Sequence, residues 1–239
     1  MNFDQVAFSY NENQSLMTDV NFSVEVGQMI AIVGPTGAGK TTMINLLERF
    51  YDVTSGKSLL EGKEIREIDR EQLRGRMAMV LQETWLFSGT IMDNLQYGRL
   101  EATQEEVIQA AKMAHADEFI TTLPQGYQTL LNEAASNISQ GQRQLLTIAR
   151  ACLANPEILI LDEATSSVDT RTERLIQSAM NRLLKGRTSF VVAHRLSTIR
   201  DANQILVMEN GNIVEMGNHE SLLKENGLYA SLYNSQFAK

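Results

Sequence analysis

The sequence has one cysteine, three prolines and one tryptophan in 239 residues, and few aromatics overall. A single thiol, Cys152, excludes an internal disulfide and fits a reducing compartment. It sits in the apolar run from Ile148 to Leu153 and reads as a small buried hydrophobe. No apolar stretch reaches the ~18 residues that span a bilayer. Met1-Asn2-Phe3-Asp4 has neither the basic nor the apolar region of a signal peptide, so the chain as it stands is expected to be soluble and cytosolic. Basic charge is also short. Lys and Arg number 21 against 29 Asp and Glu, a net charge of -8, which argues against a nucleic-acid partner. The three histidines do not gather with other ligands as a transition-metal site requires. His115 is expected within a helix and His219 at a helix start. No repeat and no low-complexity linker divides the chain.

What is present is ordinary globular material, 43% apolar and 21% charged. Val20, Phe22, Val24 and Val26 alternate with polar neighbours as a half-buried strand does. Val6 to Tyr10 is the expected partner. Met29 to Val33 is continuously apolar, which suits a strand covered on both faces. Further strands are expected at Met77 to Leu81, Ile158 to Leu161, Ser189 to Ala193 and Ile205 to Met208, with helices between several of them. That alternation predicts an α/β domain with a mainly parallel sheet. Asn210-Gly211 between Ile205–Met208 and Ile213-Val214 predicts a hairpin. From Glu83 to Ala154 the signals are helical, without a clear strand. Thr103 and Glu106 form a capping box ahead of the stripe Val107, Ala110, Ala111 and Ala114. This segment reads as a helical subdomain inserted into the α/β core.

Two motifs carry chemistry on their own residues. Gly34-Pro35-Thr36-Gly37-Ala38-Gly39-Lys40-Thr41 fits G-x-x-x-x-G-K-[ST] at every fixed position, between a strand and a helix expected from Thr42 to Phe50. Glycines let backbone N–H groups turn toward a phosphate, and the following helix aims its positive end at the same anion. Lys40 supplies a cation for the β- and γ-phosphates, and the Thr41 hydroxyl ligates Mg²⁺. The second motif is Ile158-Leu159-Ile160-Leu161-Asp162-Glu163, an apolar strand ending in two carboxylates. The carboxyl ends of strands are where open α/β sheets bind ligands. Asp162 is the expected Mg²⁺ holder and Glu163 the base for an attacking water. ATP and Mg²⁺ are the cofactors so implied.

A third element points to a family. Asn137-Ile138-Ser139-Gln140-Gly141-Gln142-Arg143-Gln144 resembles the signature motif of ABC-transporter nucleotide-binding domains, usually written LSGGQ. The resemblance runs along nearly the whole chain. Gln82 matches the Q-loop, Ser166-Ser167-Val168-Asp169 the D-loop, His194 the switch histidine, and Tyr10 the aromatic that stacks on adenine. Arg49-Phe50-Tyr51-Asp52, Thr90-Ile91-Met92-Asp93-Asn94-Leu95 and Ala193-His194-Arg195-Leu196-Ser197 are similar to the exporter branch, and Glu133 falls on the acid position of the exporters' X-loop.

The resemblance implies a P-loop NTPase (RecA-like) core with an N-terminal antiparallel β-subdomain and an inserted helical subdomain. Residues 1–82 and 155–239 form the core, and 83–154 the helical subdomain. It implies that two such domains face each other head to tail, each ATP lying between one phosphate loop (Gly34 to Thr42) and the other domain's Ser139, Gly141 and Gln142. Glu163, His194 and Gln82 are the implied catalytic groups, with Thr41, Gln82 and Asp162 at the metal. Trp85-Leu86-Phe87 is where the exporter's transmembrane domain is expected to dock. Exporters of this kind carry six membrane helices ahead of the domain, so an excised domain is expected, working at the cytoplasmic face of the plasma membrane. The competing readings are a non-transport ABC ATPase, which usually has paired domains or long insertions, and a plain P-loop kinase or GTPase, which lacks the signature and His194. One departure stands out. The third signature position is Gln140 rather than Gly, and the first is Ile138 rather than Leu. With phosphate loop, Glu163 and His194 intact, this resembles one subunit of heterodimeric bacterial exporters. The partner nucleotide-binding domain is then a non-identical chain.

Overall fold

The computed structural model describes residues 1–11, 15–81, 84–162, 168–193 and 196–237. In chain order the strands are β1 Asn2–Phe8, β2 Met17–Ser23, β3 Met29–Val33, β4 Ser55–Leu60, β5 Lys63–Glu64, β6 Met77–Val80, β7 Gly89–Thr90, β8 Leu130–Leu131, β9 Ile158–Asp162, β10 Thr188–Val192, β11 Gln204–Glu209 and β12 Asn212–Gly217. The helices are α1 Lys40–Leu47, α2 Arg70–Gly75, α3 Ile91–Gln96, α4 Gln104–Met113, α5 Asp117–Ile120, α6 Gln140–Ala154, α7 Thr170–Leu184, α8 Leu196–Asp201, α9 His219–Glu225 and α10 Leu228–Phe237. Two compact units share them. The first holds Met1–Met77, Ile160–Glu163 and Gly186–Lys239, and the second holds Ala78–Leu159 and Ala164–Lys185.

The first unit contains an antiparallel sheet of order β2-β1-β4-β5. Phe3, Val6 and Phe8 of β1 are buried while Asp4 and Gln5 are exposed, and a register shift between Phe3 and Val6, with Gln5 at φ 48°, is what keeps residues three apart on one face. The Phe3 ring stacks on Phe22 with centroids 4.6 Å apart. The large sheet has the order β12-β11-β3-β10-β9-β6. β3 lies between two parallel partners, Ser189 of β10 opposite Met29 and Gln204 of β11 opposite Ile30. A strand covered on both faces needs no polar side, and Ile30 to Ile32 have no exposed surface. The hairpin turn Asn210-Gly211 has positive φ at both residues, 49° and 83°, as a type I′ turn demands.

α1 starts two residues before the expected Thr42 and stops at Leu47. Gly39 caps it in the left-handed region at φ 98°, and Arg49 at φ 54° turns the chain out of the helix. The β4–β5 ribbon was not predicted; its sequence, rich in Ser, Gly and Lys, carries no alternating pattern and depends on pairing with β1.

Just past α1, Glu48 is 6% exposed. Burial, offset in part by the Arg74 guanidinium, pushes its carboxyl up to about 7 from 4.5. A raised carboxyl favours the folded state when protonated. Its contribution is complete below about pH 4.5 and is lost as pH rises through about 7. Glu48→Gln is therefore expected to flatten stability across that window. At pH 8 it should exceed the parent by on the order of 2–3 kcal/mol, or very roughly 5–10 °C in Tm. Thermal melts at pH 5 and pH 8 check this, and equal gains at both values would oppose it.

The second unit is built on α6, which packs against α3, α4 and α7. Capping boxes start α3 (Thr90 with Asp93), α4 (Thr103 with Glu106) and α6 (Ser139 with Gln142). The segment is not wholly helical. β7 and β8 pair Gly89 with Leu131 and Thr90 with Leu130, a ribbon too short to leave a period-two pattern. His115 is not helical. It lies between α4 and α5 at φ 56°, with Nε2 3.0 Å from Ser178 Oγ. Cys152 is buried as expected, and His219 opens α9. No helix is long and apolar enough to cross a membrane among the described residues.

Candidate nucleotide site

The phosphate loop leaves β3 at Gly34 and enters α1 at Lys40. Gly34 and Gly39 have close neighbours, whereas Gly37 has none within 4 Å and is required by its φ of 82°. A Cβ on Gly34 would overlap the Met208 carbonyl oxygen at the end of β11. The turn after β11 also holds the loop, since Gly211 N–H donates to Ala38 O at 3.0 Å. Gly211 itself has no room for a side chain against the Leu16 carbonyl. Asn212 then ties the same turn to the antiparallel sheet: its Oδ1 accepts from Thr18 N–H at 2.9 Å and from the Thr18 hydroxyl at 3.2 Å. The hairpin was predicted, but not this role for it. Only the Asn-Gly pair signalled the turn, and nothing local announces a contact some 170 residues away in sequence.

Lys40 Nζ donates to Gly34 O at 2.7 Å and Pro35 O at 2.9 Å. Burial holds its pKa below the usual lysine range, while the Asp162 carboxylate pulls it back up. Asp162, at the end of β9, is thus close enough to interact electrostatically with the loop lysine. Thr41 is exposed and Thr42 buried. Thr42 Oγ1 lies 3.1 Å from the Tyr10 hydroxyl. Tyr10 is 48% exposed and meets Phe8 and Tyr51 edge-on, with centroids 4.8 and 5.1 Å away. A ring held edge-on by two neighbours keeps a face free for stacking. Tyr51 as a support for Tyr10 was missed; β1 and the turn after α1 come together only in the fold.

Lys40→Ala removes the one mobile cation of the loop. Losing charge-assisted contacts to phosphate is expected to weaken ATP binding roughly 10–100-fold, measured by titration with a fluorescent ATP analogue. Unchanged affinity would oppose the assignment.

In the second unit, Ser139 is exposed and caps α6. Its Oγ accepts from Gln142 N–H at 3.2 Å, and the Gln142 side chain accepts from Ser139 N–H at 2.9 Å. The exposed hydroxyl therefore stands at the positive end of a 15-residue helix. Gln140 is exposed beside it. Gly141 is buried, and a Cβ there would overlap the Thr172 methyl of α7. Arg143 donates to the carbonyls of Ala135 and Ile138 at 3.2 and 2.9 Å, bracing the approach to Ser139. Glu133 is exposed in a short 3-10 turn. Asp169 caps α7 by accepting from Arg171 and Thr172 N–H. Gln82, Glu163, Ser166, Ser167 and His194 lie outside the described residues.

Comparison with known proteins gives the family and the fold. The family model described as ABC transporter matches residues 17–166. A fatty acid ABC transporter ATP-binding/permease protein of Mycobacterium tuberculosis is 56% identical over 227 residues, which cover 95% of this chain and 36% of that protein. An uncharacterized ABC transporter ATP-binding protein of Bacillus subtilis is 53% identical over 237 residues, 99% of this chain and 39% of that one. The solved structure of a bacterial Atm1-family ABC exporter with ATP bound superimposes with a TM-score of 0.91 at 43% identity, covering 100% of this chain and 42% of that one. The chain thus spans about two fifths of the length of these relatives. It belongs to the ABC transporter family, as an ATP-binding ATPase domain of the exporter type.

Proposed function

We propose that this domain hydrolyses ATP within a head-to-tail pair of nucleotide-binding domains and thereby drives export by an attached transmembrane domain at the cytoplasmic face of the membrane. The observation that carries the reading is the division of its phosphate-binding features. A complete phosphate loop lies in one unit, and a second helix start with an exposed hydroxyl, Ser139, lies in the other. A helix start that presents a hydroxyl to solvent offers a second anion site, which suits an ATP held by another chain.

In this reading Gly34 to Thr42 cradle the phosphates, Tyr10 stacks on adenine, and Ser139, Gly141 and Gln142 close over the partner's γ-phosphate. Glu163 takes the proton of the attacking water, His194 steadies the γ-phosphate, and Gln82 senses the transmembrane part. Mg²⁺ suits Thr41, Asp162 and Gln82, which offer only hard oxygen donors. No group of three His, Cys, Asp or Glu that could hold a metal occurs among the described residues. When bound, the ion neutralises charge on the phosphate oxygens.

Gln140 favours a non-identical partner. Its side chain stands exposed at the first turn of α6, where a glycine leaves room for close approach of a γ-phosphate. The site made with this signature is then the slow one, and the site made with this phosphate loop the fast one. Counting hydrolysing sites in the purified transporter tests this. One fast and one slow site per pair is expected, and two equal sites would remove the proposal. The fatty-acid name of the mycobacterial relative makes an amphipathic lipid the first cargo to assay.

A further inference from the structure

Asn94 of α3 is wholly buried, and every polar position of its amide is taken. Nδ2 donates to the carbonyls of Phe87 at 2.9 Å and Thr90 at 3.1 Å. Oδ1 accepts from Phe87 N–H at 3.1 Å and from Arg150 Nη2 at 3.0 Å. Arg150, on α6, also donates from Nε to the Asn94 carbonyl at 2.8 Å and from Nη1 to the Trp85 carbonyl at 3.1 Å. Its guanidinium lies 5.4 Å from the Tyr97 ring centroid and 6.0 Å from that of Phe87. Gly98 packs so closely on the Arg150 backbone that a Cβ there would overlap its carbonyl oxygen.

A fully satisfied buried network has one low-energy arrangement, so its members move together. One end of this network is the segment Trp85 to Phe87, where Trp85 is 64% exposed. The other end is α6. Between Arg143 and Ala154 that helix contains no glycine or proline to bend it. Arg150 stands about 16 Å along it from Ser139. A displacement at the helix start is carried to Arg150 by a rigid element.

We propose that Arg150, seated on Asn94, is a positioning residue that ties the exposed Trp85–Phe87 segment to the signature helix, so that closure of ATP on Ser139 is registered at Trp85. The proposal rests on the head-to-tail reading above. A lysine cannot replace the latch, because one ammonium lacks both the planar face and the fork that serve three acceptors at once.

Trp85 is the only tryptophan, so its emission reads this segment alone. The test uses the Glu163→Gln chain with and without Mg-ATP, with dimerisation followed by sedimentation. The expected result is an ATP-dependent change in Trp85 emission and in hydrogen exchange at Phe87 N–H. Adding Arg150→Lys should leave the ATP dimer and abolish the emission change. An emission change that persists undiminished in a dimeric Arg150→Lys variant overturns the latch, since Trp85 would then sense the partner directly. Should that variant fail to fold, Phe87 exchange in the Glu163→Gln chain decides: identical exchange with and without ATP overturns the proposal. Failure of the Glu163→Gln chain to dimerise, both alone and with the second nucleotide-binding domain of the same exporter, removes the head-to-tail reading and the latch with it.

Discussion

Replacing Glu163 with Gln is expected to lower ATP turnover roughly 10²–10⁴-fold, the usual worth of a general base. ATP affinity should stay near that of the parent. The substitution keeps size and hydrogen-bonding capacity and removes only the ability to take a proton from water. Phosphoryl transfer depends mainly on positioning and electrostatics, so the cradle of Gly34 to Thr42 keeps its nucleotide. The contrast with Lys40→Ala is diagnostic, because that variant is expected to lose binding first. Single-turnover hydrolysis measured alongside nucleotide affinity separates the two. Near-parental turnover in Glu163→Gln would assign the proton to another group.

Gly211→Ala is expected to be the most damaging change away from the loop itself. Gly211 has φ 83°, and its Cβ position is filled by the Leu16 carbonyl. A left-handed alanine costs of order 1–3 kcal/mol in backbone strain before the overlap is relieved. Relief means moving the turn, and with it the N–H that holds the Ala38 carbonyl at 3.0 Å. We expect a Tm loss of about 6–12 °C for a cost near 3 kcal/mol, together with a clear loss of ATP affinity. Gly27→Ala provides the control. It shares a positive φ of 82° but has nothing within 4 Å of its Cβ position, so affinity there should be retained. Equal effects of the two substitutions on ATP affinity would show that the hairpin does not support the loop.

The two cases show what sequence can and cannot carry. The phosphate loop was legible because its chemistry is local: the spacing from Gly34 to Thr41 is itself the cradle. β3 was legible because a strand buried on both faces is apolar throughout. The Thr103–Glu106 cap of α4 and the Asn210-Gly211 turn were legible because caps and turns are set within four residues. What escaped depends on distant partners. Gly211 supports Ala38, Asn212 fastens Thr18, and Tyr51 braces Tyr10 only once the chain has folded. Asn94 and Arg150 looked like ordinary helix residues, because neither carries a pattern that names its partner 56 residues away. β4 and β5 were missed for the same reason, their stability coming from β1 rather than from their own propensity.

The division of phosphate-binding features between the two units is the central claim, and sedimentation of the Glu163→Gln chain tests it most directly. With Mg-ATP the chain, paired with the second nucleotide-binding domain of the same exporter, is expected to sediment as a dimer retaining two ATP, and with Mg-ADP as a monomer. Ser139→Ala in the same background should weaken that dimer while leaving ATP affinity of the monomer unchanged. A chain that binds ATP tightly yet stays monomeric at every concentration, alone and with a second nucleotide-binding domain of the same exporter, would contradict the account.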